Sequence, residues 1–380
     1  MKKYLGLILL INASAFAAKE PLIKVRIAKS LEQVHVSGRD LRRYLWPKKS
    51  LKKYAGPKSI QFNCKSKKRI KRRSPIRLAS ISSLTGLLNW EKERYKGKLH
   101  IQTSERFNGC DVINEVSIED YLATLLPKEM NSKWPIEALK AQAVAARSYA
   151  FYKIQTNQVS KVKGFMTHYD LESSEKHQVS GSYFDATRKT ILATKQTRGE
   201  VLTLNNEKLS PIFFHSKCGG RTLTPDQVWQ NKVPGYRSVP CPFCHKHGRK
   251  NWKHAFPKSA LNQHLERALK VYKKDYLSFK QSSVKFTEDS KLSSRLRFYV
   301  NGKYKAVKKS RLRSTMGRTS LPSNNYQIYD QGDKVVVSGA GYGHGVGLCQ
   351  FGAKELALQG FNYQQILAHY FPELTLKKIY

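Results

Sequence analysis

DYLATLLPKEMNSKWPIEALKAQAVAARSYA, residues Asp120 to Ala150, is the stretch from which the rest of the chain is read. Its second half predicts a helix. Pro135 suits a first helical position, where its missing N–H would have had no intrahelical partner. Ile136, Leu139, Ala143, Ala146 and Ala150 then recur at helical spacing. The alanines from Ala138 onward make that helix slim enough to be packed on most sides. Arg147 falls on the same stripe as Ala143, Val144 and Ala150, so its guanidinium must be paired or face a cleft. Just ahead, Leu125-Leu126-Pro127-Lys128-Glu129-Met130 reads as a connection, with Glu129 held between apolar neighbours.

At 380 residues the chain is long enough for one large domain or two ordinary ones. Residues 1–17 read as a secretory signal peptide: Lys2 and Lys3, an apolar run from Tyr4 to Ile11, and Ala15-Phe16-Ala17 as the cleavage signal. No later stretch approaches the ~20 apolar residues that cross a bilayer. The expectation is an exported protein of the periplasm or cell wall, with no transmembrane segment.

The formal net charge is +42, which demands a polyanionic partner or environment. Nucleic acid is the default for a chain this basic, but export argues against it and favours an anionic cell-surface polymer. The charge is uneven: Leu41 to Arg77 holds fifteen Lys or Arg and no acid, with a dense run at Lys65 to Arg73. That run reads as a solvated basic segment or a binding one. Of the six cysteines, Cys218, Cys241 and Cys244 lie close together, with His215 three residues before Cys218. The spacing fits a zinc site, yet in an exported chain oxidation competes and favours a disulfide from Cys218 to Cys241 or Cys244. Cys64, Cys110 and Cys349 have no assignable partner.

Ile23 to Ile27 alternates like a strand that Glu32 to Ser37 could pair with, and a basic region with short strands spans 18–95. The composition changes at Tyr95-Lys96-Gly97, opening a region from 96 to 380. Lys98 to Gln102 and Cys110 to Val116 read as a hairpin about Asn108-Gly109. Further expected elements are a helix at Tyr183–Ala193, a strand turning at Asn205-Asn206, a helix from Lys258 to Val271, and a hairpin at Asn301-Gly302. Strands and helices interleave without a βαβ period, so the fold class is α+β.

A strand at Lys334–Ser338 runs into Gly339-Ala340-Gly341-Tyr342-Gly343-His344-Gly345-Val346-Gly347, followed by helices stopped at Gly360 and Pro372. The glycine spacing fails the dinucleotide fingerprint. Alternate glycines instead let a backbone lie flat against a ligand and present one imidazole, His344. No serine-hydrolase elbow and no His-Glu-x-x-His motif is present. The candidates for chemistry are single residues on separate segments: Glu129, Arg147 and His344.

Val116 to Leu122, Leu126-Pro127-Lys128-Glu129-Met130, Trp134 to Arg147 and Gly341 to Gly347 resemble the stage II sporulation protein D (SpoIID/LytB) family. So do Thr197 to Leu202, Cys218-Gly219-Gly220 and Ile366 to Phe371, and the likeness runs from about Lys98 to the C-terminus. The resemblance implies a two-lobed catalytic region around a glycan-binding cleft, behind a basic N-terminal extension. It implies a lytic transglycosylase acting on peptidoglycan glycan strands, especially those stripped of stem peptides. Glu129 matches the family's catalytic acid and Arg147 its active-site arginine. Lys140, Gln142, His215, Lys217, Gly219, Gly220, Tyr342 and Gln350 are the substrate-binding candidates. Some members bind zinc where this chain has His177-Gln178, with cysteine in place of His177. The expectation is therefore no cofactor, with zinc at His215/Cys218/Cys241/Cys244 or near His168/Glu172/His177 as the alternatives.

The chemistry agrees with the residues. A glycoside hydrolase uses two carboxylates, whereas a lytic transglycosylase can work with one, which protonates the glycosidic oxygen and then deprotonates the muramyl C6 hydroxyl. Such a group needs a raised pKa, which apolar neighbours such as Leu126 and Met130 can supply. Stripping the peptides exposes lactyl carboxylates, which makes the glycan the polyanion that the charge calls for. A non-catalytic glycan-binding activator of a cell-wall amidase is the competing reading.

Overall fold

The computed structural model describes residues 20–64, 75–104, 109–157, 161–162, 165–166, 168–173, 181–229, 231–247, 251–269, 284–287 and 293–380. The leader 1–17, the run Lys65–Arg73, Asn108, Val271, His177 and Gln178 lie outside them.

The N-terminal part is a curled antiparallel sheet. Its strands are β1 (Leu22–Leu31), β2 (Gln33–Arg39), β3 (Leu41–Leu45), β4 (Ser50–Lys53), β5 (Pro57–Asn63), β6 (Arg77–Trp90), β7 (Glu93–Thr103) and β8 (Cys110–Ser117). The order is Leu171–Glu172, β1, β8, β7, β6, β2, β5, with β3 also on β6 and β4 on β3. Alternation sets the inward face: Val34, Val36, Ile81, Leu99, Ile101 and Val112 form one apolar cluster, while His35, between the first two, is exposed. The β7–β8 hairpin forms as expected, but β1 pairs with β8 rather than β2, which pairs with β5 and β6. The compositional change at Tyr95–Gly97 falls inside β7.

Eight α-helices are present among the described residues: α1 (Ile118–Glu129), α2 (Ile136–Asn157), α3 (Arg188–Gln196), α4 (Pro225–Val228), α5 (Lys258–Leu269), α6 (Lys309–Met316), α7 (Gln350–Leu358) and α8 (Tyr363–Tyr370). With several sheets, they make the protein α+β. Ser117 caps α1 by accepting from the Asp120 amide. Every residue from Ala141 to Ala150 on α2 is buried, because α2 touches two cores. Ala138, Leu139 and Val144 meet Leu348, Ala353 and Ile366, while Ala146, Tyr149 and Ala150 meet Ile23, Tyr121 and Leu171. Ser148 fastens the helix to strand Glu200–Leu204 by accepting from the Leu202 amide at 2.8 Å.

A third core joins α5 and α6 to the hairpin Arg295–Val300/Lys303–Lys308 and to strands Tyr326–Gln331 and Lys334–Ala340. Its turn has Asn301 and Gly302 at positive φ, as a two-residue hairpin loop requires.

Candidate active site

Glu129 is the last residue of α1, not part of a loop, because the helix continues through Pro127 to a backbone cap at Met130. There it borders a cavity of about 330 Å³. Tyr342, Gly343 and His344 of the glycine-rich segment line it too, as do Phe213, Phe214, His215 and Ser216. Tyr149 of α2, Trp229, Arg313, Arg318 and Gln350 complete it. Glu129 is the only carboxylate among its described lining residues.

The alternating glycines do positional work. Lys217 and Tyr342 exchange backbone hydrogen bonds at 3.0 and 2.8 Å, and the Leu223 amide donates to the Gly345 carbonyl at 2.7 Å. So close an approach excludes side chains: a Cβ on Gly347 would sit 2.1 Å from the Phe213 carbonyl oxygen. Short parallel strands Phe214–His215 and Leu348–Cys349 pair beneath the loop. Thus the glycine segment is held against the strand that carries His215.

One residue, Val346, orients both imidazoles. Its carbonyl lies 3.0 Å from His215 Nδ1, which must therefore donate, leaving Nε2 as an acceptor. Its amide donates to His344 Nδ1 at 3.0 Å, so neutral His344 carries its proton on Nε2. His215 Nε2 is buried with no hydrogen-bond partner among the described residues. Burial pushes His215 down to about 4 and His344 to about 3, the neighbouring imidazole adding to the second. Both are neutral at pH 7, and positive charge at the cavity comes instead from Arg313 and Arg318. Arg313 is anchored by donating to the Leu321 and Pro322 carbonyls at 2.7 and 2.9 Å. Trp229 stacks beside Phe213 and His344, with ring centres 4.7 and 5.2 Å apart.

The cavity therefore gathers Glu129 and His344 of the expected catalytic set, and His215, Tyr342 and Gln350 of the binding set. Arg147 is not brought there. It is fully buried, and all three of its guanidinium nitrogens are taken. Nε and Nη2 donate to Glu119 at 2.9 and 2.6 Å, and Nη1 donates to the Glu200 carbonyl at 3.1 Å. The residue expected to act on substrate is a structural tie between α1, α2 and strand Glu200–Leu204. Lys140 pairs with Glu137 at 2.7 Å, Gln142 is buried, and Lys217 lies 4.4 Å over the Phe351 ring. Gly219 and Gly220 also lie off the cavity lining, in the turn after Cys218.

The cysteines need a correction. Cys64 at the end of β5 and Cys110 at the start of β8 form the disulfide, while Cys218, Cys241 and Cys244 are buried free thiols together with Cys349. The two strand ends meet only because the sheet curls, which spacing along the chain does not reveal. Of the alternative metal set, His168 Nε2 lies 3.0 Å from the Pro75 carbonyl and Glu172 pairs with Arg26 at 3.2 Å, so both are committed elsewhere.

Tyr149, Trp229, Arg313 and Arg318 were missed from sequence. Arg313 and Arg318 lie in a chain rich in basic residues, where no spacing singles them out, and Trp229 carries no motif. Tyr149 was readable as one helical turn from Ala146. A larger depression of about 520 Å³ lies over β2, β5 and β6, lined by Arg39, Lys58 and Arg94 but by no carboxylate.

Comparison with known proteins bears on the same segments. The family model described as SpoIID, stage II sporulation protein, matches residues 106–204. An uncharacterized protein of Brachyspira hyodysenteriae is 32% identical over 260 residues, covering 68% of this chain and 66% of its own length. Stage II sporulation protein D of Bacillus subtilis is 27% identical, over 68% of this chain and 74% of that protein. The amidase enhancer of Bacillus subtilis is also 27% identical, over 67% of this chain but only 40% of its own length. The matched family segment begins just before β8 and carries α1 with Glu129, α2 and strand Glu200–Leu204; the chain belongs to the stage II sporulation protein D (SpoIID) family.

Proposed function

We propose that the protein is an exported lytic transglycosylase of peptidoglycan glycan strands, with Glu129 as its single general acid and base. The observation that carries the reading is a glycan-sized cavity whose described lining holds aromatic faces, two arginines and one carboxylate. Hydrolysis with inversion or retention uses two carboxyl groups roughly 5–10 Å apart. Intramolecular displacement needs only one. Protonated Glu129 gives its proton to the glycosidic oxygen as the C1–O bond breaks. The resulting carboxylate takes the proton of the muramyl C6 hydroxyl as that oxygen bonds to C1, closing the 1,6-anhydro ring and restoring the acid.

The remaining residues position the sugar. Trp229 and Tyr342 offer flat apolar faces to a pyranose ring. Arg313 and Arg318 complement the lactyl carboxylates left when stem peptides are removed. This favours denuded strands, and with them an amidase acting beforehand. Digestion of amidase-treated peptidoglycan should release 1,6-anhydro-muramyl products by mass analysis, and Glu129→Gln should release none. Reducing-end products, or full activity in the variant, would sink the proposal.

The relative named amidase enhancer supports a second reading, in which the same cavity binds glycan without turnover and stimulates an amidase. Retention on denuded glycan without new products, together with faster amidase action, would select it.

A further inference from the structure

Behind the wall of the cavity, four thiols from three separate stretches converge. The sulfurs of Cys218, Cys241, Cys244 and Cys349 all lie within 4.8 Å of one another, and every one is buried. Cys218 follows strand Phe214–His215, Cys244 sits in the 3-10 turn Phe243–Lys246, and Cys349 ends strand Leu348–Cys349. The fourth partner is Cys349 and not His215, because the atoms that converge are the four sulfurs and the His215 ring is not among them.

The surroundings suit thiolates. The Gly220 amide donates to Cys218 Sγ and the Cys218 amide to Cys349 Sγ, each at 3.4 Å. The Tyr370 hydroxyl lies 3.2 Å from Cys241 Sγ. Space is cleared on α7 by Gly352, where a Cβ would stand 2.7 Å from Cys241 Sγ. The spacing also suits a shared ion. Zinc–sulfur bonds of about 2.3 Å in a tetrahedron set sulfurs roughly 3.8 Å apart, and Cys218 and Cys244 are separated by 3.6 Å. A disulfide would draw two of them to about 2 Å, as Cys64 and Cys110 have been drawn.

We propose that Cys218, Cys241, Cys244 and Cys349 form a structural tetrathiolate zinc site. Four thiolates around a closed, buried position leave no open coordination place, so the ion is structural and not catalytic. It ties the strand bearing His215 to the strand leading into Gln350, and thereby fixes one wall of the cavity. Zinc suits the role because it is redox-inert and prefers tetrahedral sulfur ligation.

The test uses the full chain purified without added reductant. Elemental analysis should find about one zinc per chain, and alkylation should label four cysteines only after chelation in denaturant, leaving Cys64 and Cys110 joined. Cobalt replacement should give the intense sulfur-to-metal charge-transfer bands of a tetrathiolate, and Cys349→Ser should weaken and shift them. Two further disulfides by intact mass, a metal-free protein that takes up neither zinc nor cobalt, or an unchanged cobalt spectrum in Cys349→Ser would overturn the assignment.

Discussion

Helix α1 has a glutamate in its first turn and another at its last residue, and the fold treats them in opposite ways. Glu119 is satisfied from several sides. It receives two charge-assisted hydrogen bonds from buried Arg147, one from the Gly199 amide at 3.3 Å and one from the Tyr380 hydroxyl. Glu129, one helix length away, borders a solvent-reaching cavity lined by Trp229, two arginines and two neutral imidazoles. The same side chain serves as a rivet at one end and lines a cavity at the other. A carboxylate tied by an ion pair to a buried guanidinium, a backbone amide and a tyrosine hydroxyl holds elements together.

The sharpest way to break this comparison is to neutralise each end in turn. Glu129→Gln keeps size and polarity but cannot move a proton. Loss of general acid catalysis costs about 10²–10⁴ in rate, so turnover of denuded glycan should fall by about a thousandfold while the unfolding midpoint stays in place. Arg147→Met should do the reverse. Removing one partner of a buried ion pair costs about 3 kcal/mol or more, so denaturant unfolding should shift by that amount. The small fraction of activity lost should track the folded population. If Arg147→Met instead abolished turnover in fully folded protein, Arg147 would act on substrate after all.

How much of this contrast the residues announce differs between the two ends. Arg147 on an apolar stripe signals a pair or a cleft, and the structure resolves it as a pair with an acid 28 positions earlier. Local spacing could not name that acid, because Glu119 and Asp120 sit side by side and only the fold decides that Asp120 pairs with Lys96 instead. From sequence, Glu129 reads as part of a connection, yet α1 runs through Pro127 and ends at Glu129, with Leu125 and Leu126 buried. The N-terminal sheet was obscured by charge. In β3 and β4 the basic residues come as adjacent pairs, Arg42-Arg43 and Lys52-Lys53, so these paired strands show no period-two pattern in the sequence. The disulfide and the fourth thiol share one cause. Cys110 and Cys349 meet their partners through sheet curvature and strand pairing that link distant segments.

Acid probes the second end more gently. His344 in the folded protein titrates at about 3 against roughly 6.5 unfolded, so below pH 6.5 the unfolded chain binds protons that the folded one refuses. Stability is undiminished above that pH and falls as the pH drops toward the folded value. A sealed imidazole would lose about 2 kcal/mol between pH 7 and pH 5. His344 keeps a solvent-facing edge at the cavity, so about 1 kcal/mol is expected from it. His100, His215, His264 and His369 shift in the same direction. His344→Gln should therefore flatten the unfolding slope in that window without removing it, and an unchanged slope would place the proton elsewhere.

The smallest effect concerns the aromatic wall that distinguishes the Glu129 end. Trp229 is part-exposed at the cavity, braced by Phe213 and His344, and its face is free of the hydrogen bonds that fix the rest of the lining. Stacking on a sugar ring is worth about 0.5–1.5 kcal/mol, and it acts on bound substrate and transition state alike. Trp229→Ala should therefore raise KM for denuded glycan roughly threefold with kcat nearly unchanged, the signature of uniform binding. Steady-state kinetics on glycan of defined length would read it directly. A fall in kcat at constant KM would instead mean that Trp229 orients Glu129 itself, and the two ends of α1 would then differ in geometry as well as in solvation.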